Sequence, residues 1–424
     1  YSRGEQTLLV CPLTAENAAA LREAVPALKP RPFGLQSTAG CGDRLGLATP
    51  GHVRAARAVP GFGMIYAQQS VRELVRTNRT AIAALDDATW GAFQEGWLEG
   101  VGADADHLKT PDDIEQYAGP GFSFYTVDPG AHVDGAADTD DETTLRAKFQ
   151  ALPWPELATT ARDLSNAYLG KRIEVEDRAF DVDEPTLLRA AAKYGGAVAH
   201  VAVMYRALCA RLPEGAWELE VSVDETDTPT THAEHLFIAR ELRRLGVKWV
   251  SLAPRYVGRF EKGVDYIGDL DQFATDFAGH AAIARALGPY KLSLHSGSDK
   301  FSVYAIAAQA TRGLAHLKTA GTSYLEALRV LASTDTTLFR EILQFAIDRY
   351  ETDKASYHVS ASLDKVPRPE SLTDADLPGL LEQFDSREAL HVTFGSVLTS
   401  ERGFKARLLG GLAEVVPAVA FGHP

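Results

Sequence analysis

Three segments of the 424-residue chain end an apolar run in side chains able to bind a metal or move a proton. V-G-A-D-A-D-H-L-K presents Asp104, Asp106, His107 and Lys109, and E-L-E-V-S-V-D-E-T-D places Asp224 and Glu225 at its end. K-L-S-L-H-S-G-S-D-K sets His295 directly behind an apolar strand. Imidazoles and a carboxylate carried on separate rigid strands, and meeting at one rim, suit a divalent transition metal. Two His and one carboxylate leave coordination positions open for substrate oxygens. A single His at a strand end is ordinarily a hydrogen-bonded structural residue, and Asp224 or Asp227 could simply begin a helix. Strands ending in His, Glu and His together favour the metal reading, but spacing alone does not identify the ion.

Other signals are weaker. His232 and His235 resemble a metal pair, but Thr231 with Glu234 makes a capping box, which puts both histidines in the first turn of a helix. Gly40-x-Gly42 near Gly46 lacks the third glycine spacing of a dinucleotide fingerprint, so a nicotinamide site is not expected. Ser296-Gly297-Ser298 and Lys300, before a helix at Phe301, suit a carboxylate or phosphate, and an N-cap equally well. Arg255 and Lys318 follow two further strands as candidate anion contacts. Gln36 ends the first candidate strand, and His358 and His391 fall on late strand-like runs.

The elements that would position these residues alternate. Eight short runs read as strands: 32–36, 63–68, 100–104, 121–126, 217–225, 247–253, 290–295 and 315–319. Helical patterns follow most of them, at 71–84, 234–245, 271–286, 301–310 and 324–331. Little strict alternation within the runs implies strands covered on both faces. Repeated strand, polar turn and helix predict an α/β (β/α)8 TIM-like barrel, with a doubly wound sheet as the competitor. One barrel domain is expected over 1–424, with a helical insertion at about 135–215 and a C-terminal α/β extension at about 335–424. The extension would carry strand-like runs at 355–362 and 390–398, and the acidic stretches 140–142 and 181–185 read as solvated loops.

Composition narrows the partners. With 43 basic and 57 acidic residues the net charge is −14, which repels phosphate backbones and anionic lipid. No nucleic acid and no membrane are expected as partners, and no apolar run approaches a membrane span. Three scattered cysteines give no disulfide framework, and Tyr1–Glu5 carries no signal-peptide pattern, so a reducing, cytoplasmic setting is expected. Self-association into a homo-oligomer stays open.

The combination of G-C-G-D-R-L-G-L-A-T-P-G-H (Gly40–His52), V-D-E-T-D-T-P-T-T (Val223–Thr231) and L-H-S-G-S-D-K-F (Leu294–Phe301) resembles the tagaturonate/fructuronate epimerase family. Members of that family have been recruited as tagatose 4-epimerases, and the resemblance runs over roughly residues 31–400. It implies a metal-dependent barrel isomerase acting on ketohexuronates, with D-tagatose and D-fructose as related substrates. The implied ligands are His107, Glu225 and His295. The implied cofactor is a divalent cation, zinc first, with manganese, cobalt or nickel as alternatives.

The two uronates differ at a carbon two bonds from the ketone, where simple enolisation cannot act. Retro-aldol cleavage, rotation of the aldehyde fragment and re-addition would invert it, helped by a Lewis acid at the ketone. Asp106 and Asp224 are the expected acid/base pair, with Asp104 and Asp128 as competitors. Neighbours on a strand point to opposite faces, so a bulge or loop start is needed for both members of each Asp–ligand pair to face the site. Gln36, Arg44, Lys109, Arg255, Ser296, Lys300 and His358 are the expected substrate contacts. Other readings are a metal-dependent aldolase or ketose isomerase on the same barrel, a sugar-binding protein and a glycoside hydrolase.

Overall fold

The computed structural model describes the backbone at residues 2–3, 6–7, 11–319 and 321–420, with side chains over 11–319, 321–355 and 357–412. Eight parallel strands close into a barrel: β1 (Thr38–Gly42), β2 (Gly63–Ser70), β3 (Gly102–Leu108), β4 (Phe124–Val127), β5 (Glu218–Val223), β6 (Ser251–Pro254), β7 (Lys291–Leu294) and β8 (Ala315–Lys318). Their spatial order is the chain order, and β8 pairs with β1 through His316 opposite Thr38. Every residue of β2, β4, β5, β6 and β7 is buried, because side chains fill the interior and helices cover the outside.

Seven strands overlap their expected positions, and the first does not. Residues 32–36 precede β1. Pro32 has no N–H for a ladder, and the amides of Phe33 and Gly34 instead donate to the Glu218 carboxylate at 3.2 and 2.7 Å, closing the floor of the barrel.

The helices follow the strands with clear start signals. Ser70, the last residue of β2, accepts from the Glu73 amide and so caps helix Val71–Thr77. That helix stops at Asn78, which is left-handed at φ 50°, and a new one (Ala81–Gln94) starts behind Thr80. Thr231 and Glu234 form the expected capping box of helix His232–Arg244. Among the described residues no helix is long and apolar enough to cross a membrane.

Between β4 and β5 lie helices Glu142–Gln150, Ala161–Tyr168 and Glu184–Arg211, with an unexpected hairpin pairing Arg172–Val175 with Arg178–Asp181. Buried Lys193 pins this insertion to the barrel. Its Nζ donates to Asp138 and Thr228, each at 2.9 Å, and lies 3.4 Å from Glu234. The acidic stretches do local work as well, since Asp141 and Asp183 cap helices.

The C-terminal extension is helical, not α/β. Residues 390–398 fall in helices Phe384–Val392 and Phe394–Thr399, and 355–362 form a short 3-10 turn and irregular chain. An apolar run buried on all sides reads alike as strand or helix, and Leu390, Val392, Phe394, Val397 and Leu398 are all buried. These helices pack with Ser323–Thr334 and Thr336–Asp353 around a hydrophobic core of their own.

Candidate active site

The barrel interior is charged. On β5 the alternate residues Glu218, Glu220 and Ser222 turn inward, and Asp224 continues the series just past the strand. Lys318, at the end of β8, reaches across to three other strands. Its Nζ lies 2.9 Å from Asp104, 2.7 Å from Asp106, 2.8 Å from Glu220 and 2.6 Å from Thr126 Oγ1. Burial opposes charge on Lys318, but the three carboxylates outweigh it and hold the ammonium well above its ordinary pKa. Burial pushes Asp104 up, whereas Glu220, though equally buried, is held well down by Lys318 and His295.

Above this layer two imidazoles face each other with ring centroids 5.0 Å apart. His107 Nδ1 donates to Asp106 Oδ1 at 2.7 Å, and His295 Nε2 donates to Glu220 Oε1 at 2.7 Å. Their remaining nitrogens converge on Asp224 Oδ1, at 3.8 Å from His107 Nε2 and 3.1 Å from His295 Nδ1. One donor atom from each of His107, Asp224 and His295 therefore lies within 4.8 Å of the others. Burial disfavours charge on all three, yet Asp106 raises His107 and Asp224 raises His295, while both rings lower Asp224.

Backbone irregularity brings adjacent residues to one face. The β3–β4 register shifts between Ala105 and Leu108, and His107 is left-handed at φ 57°. This bulge turns Asp106 and His107 together into the mouth. Ser296, behind His295, is also left-handed at φ 48°.

The trio opens into a cavity of about 200 Å³. Of the expected site residues, Arg44, Asp106, His107, Asp224, Glu225, Arg255, His295, Ser296 and His358 line it. Glu225 is displaced from the trio by the parity that turns Asp224 inward, and its Oε1 accepts from Arg72 at 2.9 Å. Asp106 is engaged by His107 and Lys318. The other three lie outside the cavity lining. Gln36 stands before β1 at the opposite rim, donating to the Gly61 carbonyl. Lys109 lies 3.3 Å from Asp128 on the outer side. Lys300 is buried, with Nζ donating to the carbonyls of Glu261, Val264 and Ser298, and burial lowers its pKa to about 7.

Two arginines enter the cavity with unmet donors. Arg44 pairs with Glu73 at 3.1 Å, bonds His391 Nε2 at 3.1 Å and lies 3.5 Å over the Phe394 ring, yet its Nη1 is buried without a hydrogen-bond partner. Arg255 Nε is in the same state. His391 and Phe394 belong to the C-terminal extension, which also supplies Tyr357 and His358 to the wall.

Gln68, Ser70, Arg72, Glu73, Phe260, Lys262, Thr319 and Tyr357 also line the cavity, and sequence reasoning passed over them. A signal existed for Ser70, Arg72 and Glu73: Ser70 ends β2 as the cap of a helix, and Arg72 and Glu73 lie in that helix's first turn. The G-C-G motif has a packing role: a side chain at Gly40 would overlap Gln68, whose amide donates to the Thr319 carbonyl at 2.8 Å.

Fold and site together define a (β/α)8-barrel enzyme, with its polar groups gathered at the C-terminal ends of the strands where barrel enzymes do their chemistry. The chain belongs to the tagaturonate epimerase family, UxaE, whose model matches residues 1–415. It is 48% identical over 404 residues to a tagaturonate/fructuronate epimerase of Thermotoga maritima, covering 95% of this chain and 82% of that one. The native structure of the fructuronate-tagaturonate epimerase UxaE from Cohnella laeviribosi superposes with a TM-score of 0.90 at 38% identity, covering 98% of this chain and 85% of that one. A glycerol complex of the same protein gives a TM-score of 0.91, with the same identity and coverage.

Replacing Lys318 by Met removes the cation that three buried carboxylates share. A loss of about 3–5 kcal/mol is expected, as for other broken buried ion pairs. A fall in the urea midpoint at unchanged slope checks it.

Proposed function

We propose that this protein interconverts D-tagaturonate and D-fructuronate at the barrel mouth, by retro-aldol cleavage and re-addition assisted by a divalent cation. The observation that carries the reading is the arrangement of the two imidazoles. Each has its far nitrogen fixed by a carboxylate, and their near nitrogens converge with Asp224. Metal-binding histidines characteristically donate their second N–H to a carboxylate in this way, which fixes the tautomer and the ring plane. The donor set fits a cation of the zinc, cobalt, nickel or manganese type. His107, Asp224 and His295 would hold the ion, with Asp106 and Glu220 positioning the rings. When bound, it supplies Lewis-acid stabilisation of negative charge developing on a ketose oxygen.

The chain's own groups supply the rest. Asp106 and Asp224 are committed to the imidazoles, so Glu225, which lines the cavity beside the trio and meets Arg72 through Oε1, is the carboxylate we assign to take the proton of the hydroxyl on the inverted carbon. The bond between that carbon and its neighbour nearer the ketone then breaks, and its electron pair moves onto the ketone-bearing fragment. Rotation of the aldehyde and reversal of the same steps give the epimer with no net redox change. The unmet donors of Arg44 and Arg255 match the uronate carboxylate, which accepts charge-assisted hydrogen bonds. Neutral D-tagatose and D-fructose fit the same path without that contact.

The direct test is turnover of either uronate in deuterium oxide, followed by NMR. The product is expected with carbon-bound hydrogens retained. Deuterium at the inverted carbon would refute carbon–carbon cleavage, and accumulation of three-carbon fragments would mark an aldolase. Chelation should abolish turnover and added divalent metal restore it. His295→Ala should lose one equivalent of metal. Glu225→Gln should keep its metal while kcat falls by about 10²–10⁴-fold.

Arg255→Met should separate the substrates. On the uronate, kcat/KM is expected to fall about 100-fold, near 3 kcal/mol for a lost charge-assisted contact. Parallel assays on D-tagatose should show little change.

A further inference from the structure

On the outside of the barrel, helix His232–Arg244 packs against helix Leu270–Leu287. His232 comes from the first turn of one helix, and Asp276 and His280 sit one turn apart on the other. One donor atom from each lies within 4.8 Å of the others. His232 Nε2 is 3.4 Å from Asp276 Oδ1, and His280 Nε2 is 3.6 Å from Asp276 Oδ2. Ligands around a tetrahedral zinc, at bond lengths near 2.1 Å, stand roughly 3.4 Å apart.

Two atoms in this cluster are unsatisfied. His280 is fully buried, and its Nε2 has no hydrogen-bond partner. Asp276 Oδ2, which it faces, has none either. A nitrogen and a carboxylate oxygen turned toward each other, just beyond bonding distance, are costly to leave unmet.

The surroundings match a ligand's supporting shell. His280 Nδ1 lies 2.9 Å from His235 Nδ1, and His235 Nε2 lies 2.7 Å from the Tyr290 hydroxyl. Ligation by His280 Nε2 requires the hydrogens to run from His280 to His235 to Tyr290, the direction that leaves that nitrogen its lone pair. Gly279 lets His232 approach, because a Cβ there would overlap its ring.

We propose that His232, Asp276 and His280 form a second divalent-cation site, which clamps two outer helices together and is separate from the barrel mouth. His232 Nε2 donates to the Asp276 carbonyl at 2.8 Å, and loading exchanges that proton for the cation. His232 and Asp276 are only partly buried, so the ion reaches the site from solvent. Just before helix His232–Arg244, the Thr230 amide donates to the Arg255 carbonyl and the Arg255 amide donates to Thr230 Oγ1, which links the clamp's helix to a cavity residue.

The test uses the full chain, stripped by chelator and titrated with Co2+, with metal counted by elemental analysis and tetrahedral coordination read from visible absorption. A His107→Ala/His295→Ala chain is expected still to bind one equivalent. Adding His232→Asn or Asp276→Asn to that chain should abolish it. In the otherwise unaltered protein His232→Asn should lose one equivalent and the metal-dependent rise in Tm, with turnover retained. Equal cobalt binding with and without His232→Asn and Asp276→Asn would overturn the proposal, as would no binding by the His107→Ala/His295→Ala chain. Both outcomes are independent of whether the mouth uses a metal.

Discussion

One ammonium group makes the interior of this barrel possible. Asp104, Asp106 and Glu220 all come within 2.9 Å of Lys318 Nζ, in a space with almost no solvent. Carboxylates this close repel strongly at low dielectric, and each would pay a large desolvation cost alone. Lys318 offsets both, and Thr126 accepts a further hydrogen bond from it. The same carboxylates then serve a second purpose on their upper side, since Asp106 and Glu220 each hold one imidazole. Ring orientation at the mouth is therefore inherited from charge compensation one layer below.

In the proposed reading, that compensation also suits the mouth to a dication. The structure holds His107, His295 and Asp224 as a network in which the rings are driven toward the charged form by Asp106 and Asp224. Two imidazolium protons and one divalent cation carry the same charge. Exchange of one for the other leaves the charge balance of the buried layer unchanged, and the neutral rings become ligands. On that reading proton and metal would compete for one set of lone pairs.

Much of this was legible in the sequence. Seven of the eight barrel strands stood out as short runs, most of them followed by helical patterns, and the strand ends carried the histidines and carboxylates. Parity within β5 was legible too: inward Glu218, Glu220 and Ser222 select Asp224 over Glu225, and a strict two-residue count would have found it. His107 could not be read that way, because it escapes parity through a bulge with positive φ, and no residue type announces one. Gln36 was misplaced with its strand, since Pro32 and Phe33 look β-like but sit on the floor. Lys300 looked like an anion contact because a helix follows it, and only the folded chain reveals the three carbonyls that hold its ammonium.

The C-terminal extension resisted sequence reading for a different reason. Its apolar runs build a core apart from the barrel, and a run buried on every side loses the periodicity that separates helix from strand. Its role at the site depends on long-range contacts. Arg44 leaves β1 and lies over Phe394, while His391 bonds its Nη2 and Glu73 takes the other side of the same guanidinium. With one face stacked and the Nε/Nη2 edge held, Nη1 is the nitrogen of this guanidinium left without a partner. An arginine fixed by a stacked ring loses little further rotamer freedom when it binds an anion. In the proposed reading the extension therefore acts on the chemistry by preorganising a barrel residue, beyond adding wall to the mouth.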